Sequence, residues 1–141
     1  PTMVLSPCGL VVRDCLLEIP KHFPQILLDE FIIMPNHIHM IIMVGARHAV
    51  PLQQKTESFG KPVKGSLPTI IRSFKSATTN AINDFRQSRK YTLWQRGYFE
   101  HIIRDDDKLN KIRLYIANNH IKWTLDKENP INKKACKTRE I

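Results

Sequence analysis

The feature that most constrains the fold is a pair of apolar runs, Ile26 to Met34 and His37 to Val44, separated by Pro35-Asn36. Short aliphatic runs bounded by turn residues read as two strands of a hairpin. Their near-continuous apolar character predicts burial on both faces of a sheet. The return strand opens with His37-Ile38-His39. Side chains alternate faces along a strand, so the two imidazoles point one way and Ile38 the other. Two imidazoles on one face are half of a divalent-metal site, since imidazole is the commonest protein metal ligand. Taken alone, the pair reads better as two ordinary histidines, because two ligands are not a site. A second element, far down the chain, changes that balance.

That element is the stretch from Asp105 to Asn119. Asp105, Asp106 and Asp107 suit a helix N-terminus, where a carboxylate accepts from free N–H groups and meets the positive end of the dipole. Leu109, Ile112 and Ile116 then recur at helical spacing as a buried stripe. Tyr115 lies beside that stripe, and Asn119, one turn on, shares its face. The plainer readings are a boundary aromatic for Tyr115 and a helix C-cap for Asn119. A helix laying this edge over the histidine strand brings together a phenol, an amide and two imidazoles.

The remaining elements follow from periodicity. Leu10 to Ile19 fits a helix ending at Pro20. Gly45 to Pro68 is polar and punctuated by Pro and Gly, which predicts a mobile loop over 45–68. Ser66 and Pro68 introduce a helix to about Arg86, with Ile71, Phe74, Thr78, Ile82 and Phe85 as its inner stripe. Its other edge carries Arg72, Lys75, Ser76 and Thr79, either a solvated face or a set of phosphate contacts. Trp94 to Ile103 reads as a third strand, with Tyr98 and His101 as candidates near a site. Residues 127–141, with Lys133, Lys134, Lys137 and Arg139, read as a basic tail. This order implies an α+β fold: an antiparallel sheet with helices on one face.

At 141 residues the chain has the size of a single domain over 1–141. A net charge of +9, from 22 Lys and Arg against 13 Asp and Glu, suits a polyanionic partner. No apolar run approaches a membrane span, so no membrane partner is expected. Cys8, Cys15 and Cys136 are odd in number and lack CxxC spacing, as expected of reduced thiols in a cytoplasmic protein.

Four ordered stretches resemble one family. They are Leu28 to His39; Phe59-Gly60-Lys61-Pro62-Val63 with Ile70 to Ser76; Trp94 to Arg104; and Tyr115 to Asn119 with Trp123 behind. Between about Met3 and Pro130 the chain resembles the HUH single-tyrosine transposases of insertion sequences, including the branch associated with repetitive extragenic palindromes. The resemblance implies a ferredoxin-like HUH endonuclease fold. It implies His37, His39 and Asn119 as ligands of Mg²⁺ or Mn²⁺, and Tyr115 as the nucleophile. The implied activity is cleavage and rejoining of single-stranded or hairpin DNA through a 5′-phosphotyrosine. Arg72, Lys75 and Thr79 are then candidate phosphate contacts, and Trp94 and Tyr98 candidate platforms for exposed bases.

Two departures from the family pattern carry expectations. Asn119 is followed by His120 where the family has proline, so the helix is expected to continue and His120 to compete as a ligand. The chain also begins after the family's first strand. The resulting open edge predicts pairing with a second copy in a homodimer. Two alternatives stand beside the transposase reading: a catalytically silent remnant that only binds DNA, and a metal protein without nucleic acid using His37, His39 and His120.

Overall fold

A computed structural model of the chain describes residues 4–45, 63–88, 92–126, 129 and 132. Among these the fold is α+β: one two-stranded antiparallel sheet and four α-helices. The strands are β1 (Ile26–Ile33) and β2 (Ile38–Val44); the helices are α1 (Pro7–His22), α2 (Leu67–Phe85), α3 (Asp106–Ala117) and α4 (Asn119–Lys122), with a 3₁₀ turn over Trp123–Leu125. The described chain divides into two compact units. One holds Glu30–Ile41 and the chain from Ile102 onward; the other holds Leu5–Asp29 and Ile42–His101. The hairpin belongs to both, its tip to the first and its open end to the second.

The second unit is a helical core. Ser6 caps α1, its hydroxyl accepting from the Gly9 N–H at 3.2 Å, with Pro7 at the first helical position. The helix runs two residues past the expected stop at Pro20. Proline deletes only its own N–H, and Phe23 N–H still donates to the Ile19 carbonyl at 2.9 Å. Ser66 caps α2 in the same way, accepting from the Thr69 N–H, with Pro68 in the first turn. Val12, Leu16 and Ile19 of α1 and Ile70, Ile71, Phe74, Thr78 and Ile82 of α2 are buried, and the two helices pack together. Phe85, expected on that stripe, is 58% exposed. It is the last residue of α2, and the backbone turns away at Gln87 with φ of 51°.

The first unit is built around the hairpin tip. Met34 N–H donates to the His37 carbonyl at 2.8 Å, closing the turn through Pro35 and Asn36. Ile33, Met34 and Ile41 are buried, whereas most strand positions are half-buried. A two-stranded ribbon twists strongly and covers only part of each face, so the burial expected on both faces is not reached. Asp105 caps α3, its carboxylate accepting from the Lys108 N–H at 2.7 Å, with Asp106 and Asp107 in the first turn. Ile116 is buried; Leu109 and Ile112, expected beside it, are half-buried.

Two expectations are corrected. The stretch from Trp94 to Ile103 is not a strand: it pairs with no strand among the described residues. Gly97 adopts φ of 76°, which breaks an extended run. The carbonyls of Gln95 and Gly97 accept from the Lys75 ammonium instead of from a neighbouring strand. Phe99 and Ile102 are 93% and 70% exposed, so no apolar face forms there. The third helix also stops despite the absence of proline. Asn118 ends it, donating from both backbone N–H and side-chain Nδ2 to the Leu114 carbonyl. Such side-chain competition ends helices at asparagine. The predicted loop over 45–68 lies largely outside the described residues, as does most of the basic tail over 127–141.

Candidate functional site

The strand period of two places His37 and His39 side by side: their ring centroids lie 4.9 Å apart, edge to face. Tyr115 of α3 meets the second of them, with 5.5 Å between the His39 and Tyr115 rings at 77°. All three belong to the first unit. The phenol thus stands on the imidazole side of the strand, as strand and helix periodicity together require.

The two histidines are prepared differently. Nδ1 of His37 lies 2.7 Å from the Asn36 amide oxygen. Donation there leaves Nε2 with the free lone pair, the second-sphere arrangement that orients a ligating imidazole. His39 is held below the ordinary imidazole pKa, first by burial and then by the neighbouring His37 charge. Both effects keep its lone pair available for coordination.

Asn119, the expected third ligand, is 6% exposed and opens α4 rather than continuing α3. It therefore sits across a helix break from Tyr115, which is 46% exposed. His120 is turned to the backbone, with Nδ1 2.9 Å from the Ala117 carbonyl. Among the described residues no three His, Cys, Asp or Glu side chains form a metal-holding cluster. Two imidazole nitrogens and one amide oxygen are a chemically sound set for a divalent ion that also takes phosphate oxygens and water.

One residue escapes sequence reasoning. Lys122 places its ammonium 4.8 Å from the centroid of the Tyr115 ring, a cation–π contact. The seven-residue separation spans the break at Asn118, so no single helical period relates the two.

The candidate nucleic-acid contacts lie in the second unit, along a groove of about 710 Å³ between α2 and the 92–98 segment. Arg72, Lys75, Thr79, Trp94 and Tyr98 all line it. Lys75 is committed to the carbonyls of Gln95 and Gly97. The Trp94 indole N–H donates to the Thr78 hydroxyl at 2.8 Å, and its ring lies 5.6 Å from that of Phe74. Thr79 donates to the Lys75 carbonyl. These three shape the groove as well as line it. Cys8 and Cys15 are free thiols, and no helix among the described residues is long and apolar enough to cross a membrane.

The chain is similar to an uncharacterized protein of Haemophilus influenzae, 40% identical over 131 residues that cover 88% of this chain and 71% of that one. No solved structure matches it. The family model for "Transposase IS200 like" proteins matches residues 59–119, from the chain before α2 through Tyr115 to Asn119. The chain belongs to the IS200-like transposase family.

Proposed function

We propose that this transposase-family chain cleaves and rejoins single-stranded or hairpin DNA, with Tyr115 as nucleophile and His37, His39 and Asn119 as ligands of Mg²⁺ or Mn²⁺. The observation that carries the reading is the contact between the Tyr115 and His39 rings, 5.5 Å centroid to centroid. It supports the reading because it holds the proposed nucleophile next to a proposed metal ligand, within reach of one phosphodiester. A bound divalent ion would polarise the phosphoryl oxygens and orient the scissile phosphate.

The chain's own residues supply the rest. The Tyr115 oxygen attacks phosphorus and forms a new P–O bond. The bond from phosphorus to the 3′ oxygen breaks, and that oxygen leaves as a 3′-hydroxyl with the proton given up by the phenol. The 5′ phosphate stays on Tyr115, which conserves the bond for rejoining. Reversal has the phenolate as leaving group, and the Lys122 ammonium over its ring favours that charge.

Incubation with a hairpin oligonucleotide and Mn²⁺, followed by denaturing electrophoresis, tests this directly. The wild-type chain should form a covalent adduct. Tyr115→Phe, which removes a single hydroxyl, should form none while still binding the hairpin. An adduct that survives Tyr115→Phe would assign the nucleophile elsewhere. Binding without any wild-type adduct would leave a DNA-binding remnant.

A further inference from the structure

We infer that Asn36 is a positioning residue of the candidate metal site: its amide oxygen keeps the His37 proton on Nδ1, presents Nε2 to the ion, and by its neutrality keeps that ion exchangeable. The inference rests on the proposed role of His37 as a ligand. An asparagine in a tight turn is usually explained by its backbone. It tolerates the left-handed conformation, or its side chain accepts from an N–H two residues on. Neither explanation serves here. Among the described residues other than glycine, only Gln87 has a positive φ. The turn is closed by main chain, with Met34 N–H donating to the His37 carbonyl at 2.8 Å. The Asn36 oxygen lies instead 2.7 Å from Nδ1 of His37, a short distance for a hydrogen bond between nitrogen and oxygen.

The direction of that bond decides what His37 can do. A neutral imidazole has one N–H and one lone pair. An amide oxygen can only accept, so Nδ1 carries the proton and the lone pair falls on Nε2. His39 is held differently. Its ring lies 4.9 Å from the His37 ring and 5.5 Å from the Tyr115 ring, centroid to centroid and edge to face. Ring contacts set an orientation but do not choose a tautomer. Of the two imidazoles, His37 is the one whose donor atom is fixed before any ion arrives.

The charge of the partner matters as well. Carboxylates behind ligating histidines raise the basicity of the ring and strengthen its bond to the metal. Asn36 is neutral and exposed, so it orients the ring without that push. His37 thereby stays a moderate donor. Such a donor suits an ion that has to take up and release phosphate oxygens, rather than one locked into a closed structural site.

The test uses the full chain at about pH 8, above the ordinary imidazole value of about 6.5, first without metal. Proton–nitrogen correlation spectra of the histidine rings report each tautomer. His37→Gln identifies the His37 signals among the 6 histidines. In the wild-type chain His37 should carry its proton on Nδ1. Asn36→Gly keeps a turn-forming residue and removes the acceptor, so the His37 pattern should lose that bias while the His39 pattern stays. Asn36→Asp, which can also only accept, should restore it. Mn²⁺ affinity, read from the paramagnetic resonance of the free ion, should follow the same order. Asn36→Gly should bind about tenfold more weakly, the low end of such effects because the bond is open to water. Asn36→Asp should bind a few-fold more tightly than wild type, since a charged acceptor makes the stronger bond. Circular dichroism should be unchanged in all variants.

A wild-type His37 with its proton on Nε2 would overturn the inference. So would an Asn36→Gly variant that binds Mn²⁺ as tightly as wild type. Weaker binding by Asn36→Asp would mean that the amide donates to Nδ1 instead of accepting from it, and would overturn the inference too. Each of these results leaves the adduct test of Tyr115 standing. A wild-type chain that binds no Mn²⁺ would overturn both this inference and the metal ligands of the proposed activity.

Discussion

The two units bury their apolar residues differently. In the second, α1 and α2 bury an aliphatic seam in which Leu16, Ile70, Ile82 and Thr78 have almost no exposed surface. In the first, Ile33, Met34, Ile41 and Ile116 are the buried apolar residues among those described, and His37, His39 and Tyr115 stand partly exposed. The most buried residues thus lie in the helical seam, and the proposed chemistry at the hairpin tip. Local stability varies in this way within folded proteins, with functional segments drawn from the weaker end. Substitutions in the two units should therefore separate folding from activity.

The largest effect is expected at the histidines. His39→Ala should reduce metal-dependent cleavage to background while the melting transition changes little. A large drop in melting temperature would show that the imidazole face is part of the core and would dissolve the contrast. Next comes the seam. Leu16→Ala, at a position with no exposed surface, should destabilise the chain by about 2–5 kcal/mol. It should leave the adduct-forming reaction intact at temperatures where the variant is folded. Denaturant melts and adduct yield measured on the same samples compare both arms.

A smaller effect is expected at Lys122. Lys122→Met keeps the side chain's length and removes its charge from the Tyr115 ring. An exposed cation–π contact is worth about 0.5–1 kcal/mol, so the adduct rate should fall two- to fivefold with hairpin affinity unchanged. An unaltered rate would make the contact incidental. The smallest is a titration. In metal-chelated protein the His39 imidazole, followed by NMR, should protonate below the ordinary value of about 6.5. Its folded pKa is lowered by burial and by His37, so on acidification the unfolded chain binds the proton first. Stability from this group is therefore intact above about pH 6.5 and is lost as pH falls through the folded value. A His39 pKa at or above the ordinary value would contradict the partial burial of its imidazole beside His37.

Much of this was legible in the sequence because it depends on local chemistry. The hairpin follows from two aliphatic runs around Pro35-Asn36, and two helix starts follow from Ser66 and Asp105 acting as caps. The pairing of His37 with His39 and the approach of Tyr115 follow from two periodicities. What was not legible depends on side-chain contacts that no hydropathy pattern carries. The 94–103 stretch has a strand-like composition, yet its carbonyls are claimed by Lys75, twenty residues earlier and more. Asn118 ends α3 by a side-chain hydrogen bond that no periodic pattern reveals. The Lys122 contact with Tyr115 lies beyond that break.

The bonds from Lys75 and Trp94 have a further consequence. A strand held in a sheet cannot be moved without rewriting a ladder of backbone hydrogen bonds. The wall of the groove is attached to α2 by side chains instead: an ammonium on two carbonyls and an indole N–H on one hydroxyl. A change at Lys75 would let that wall shift while the buried seam of α1 and α2 stays in place. The width of the groove is thus a quantity that descent can adjust by single substitutions, independently of whether the chain folds.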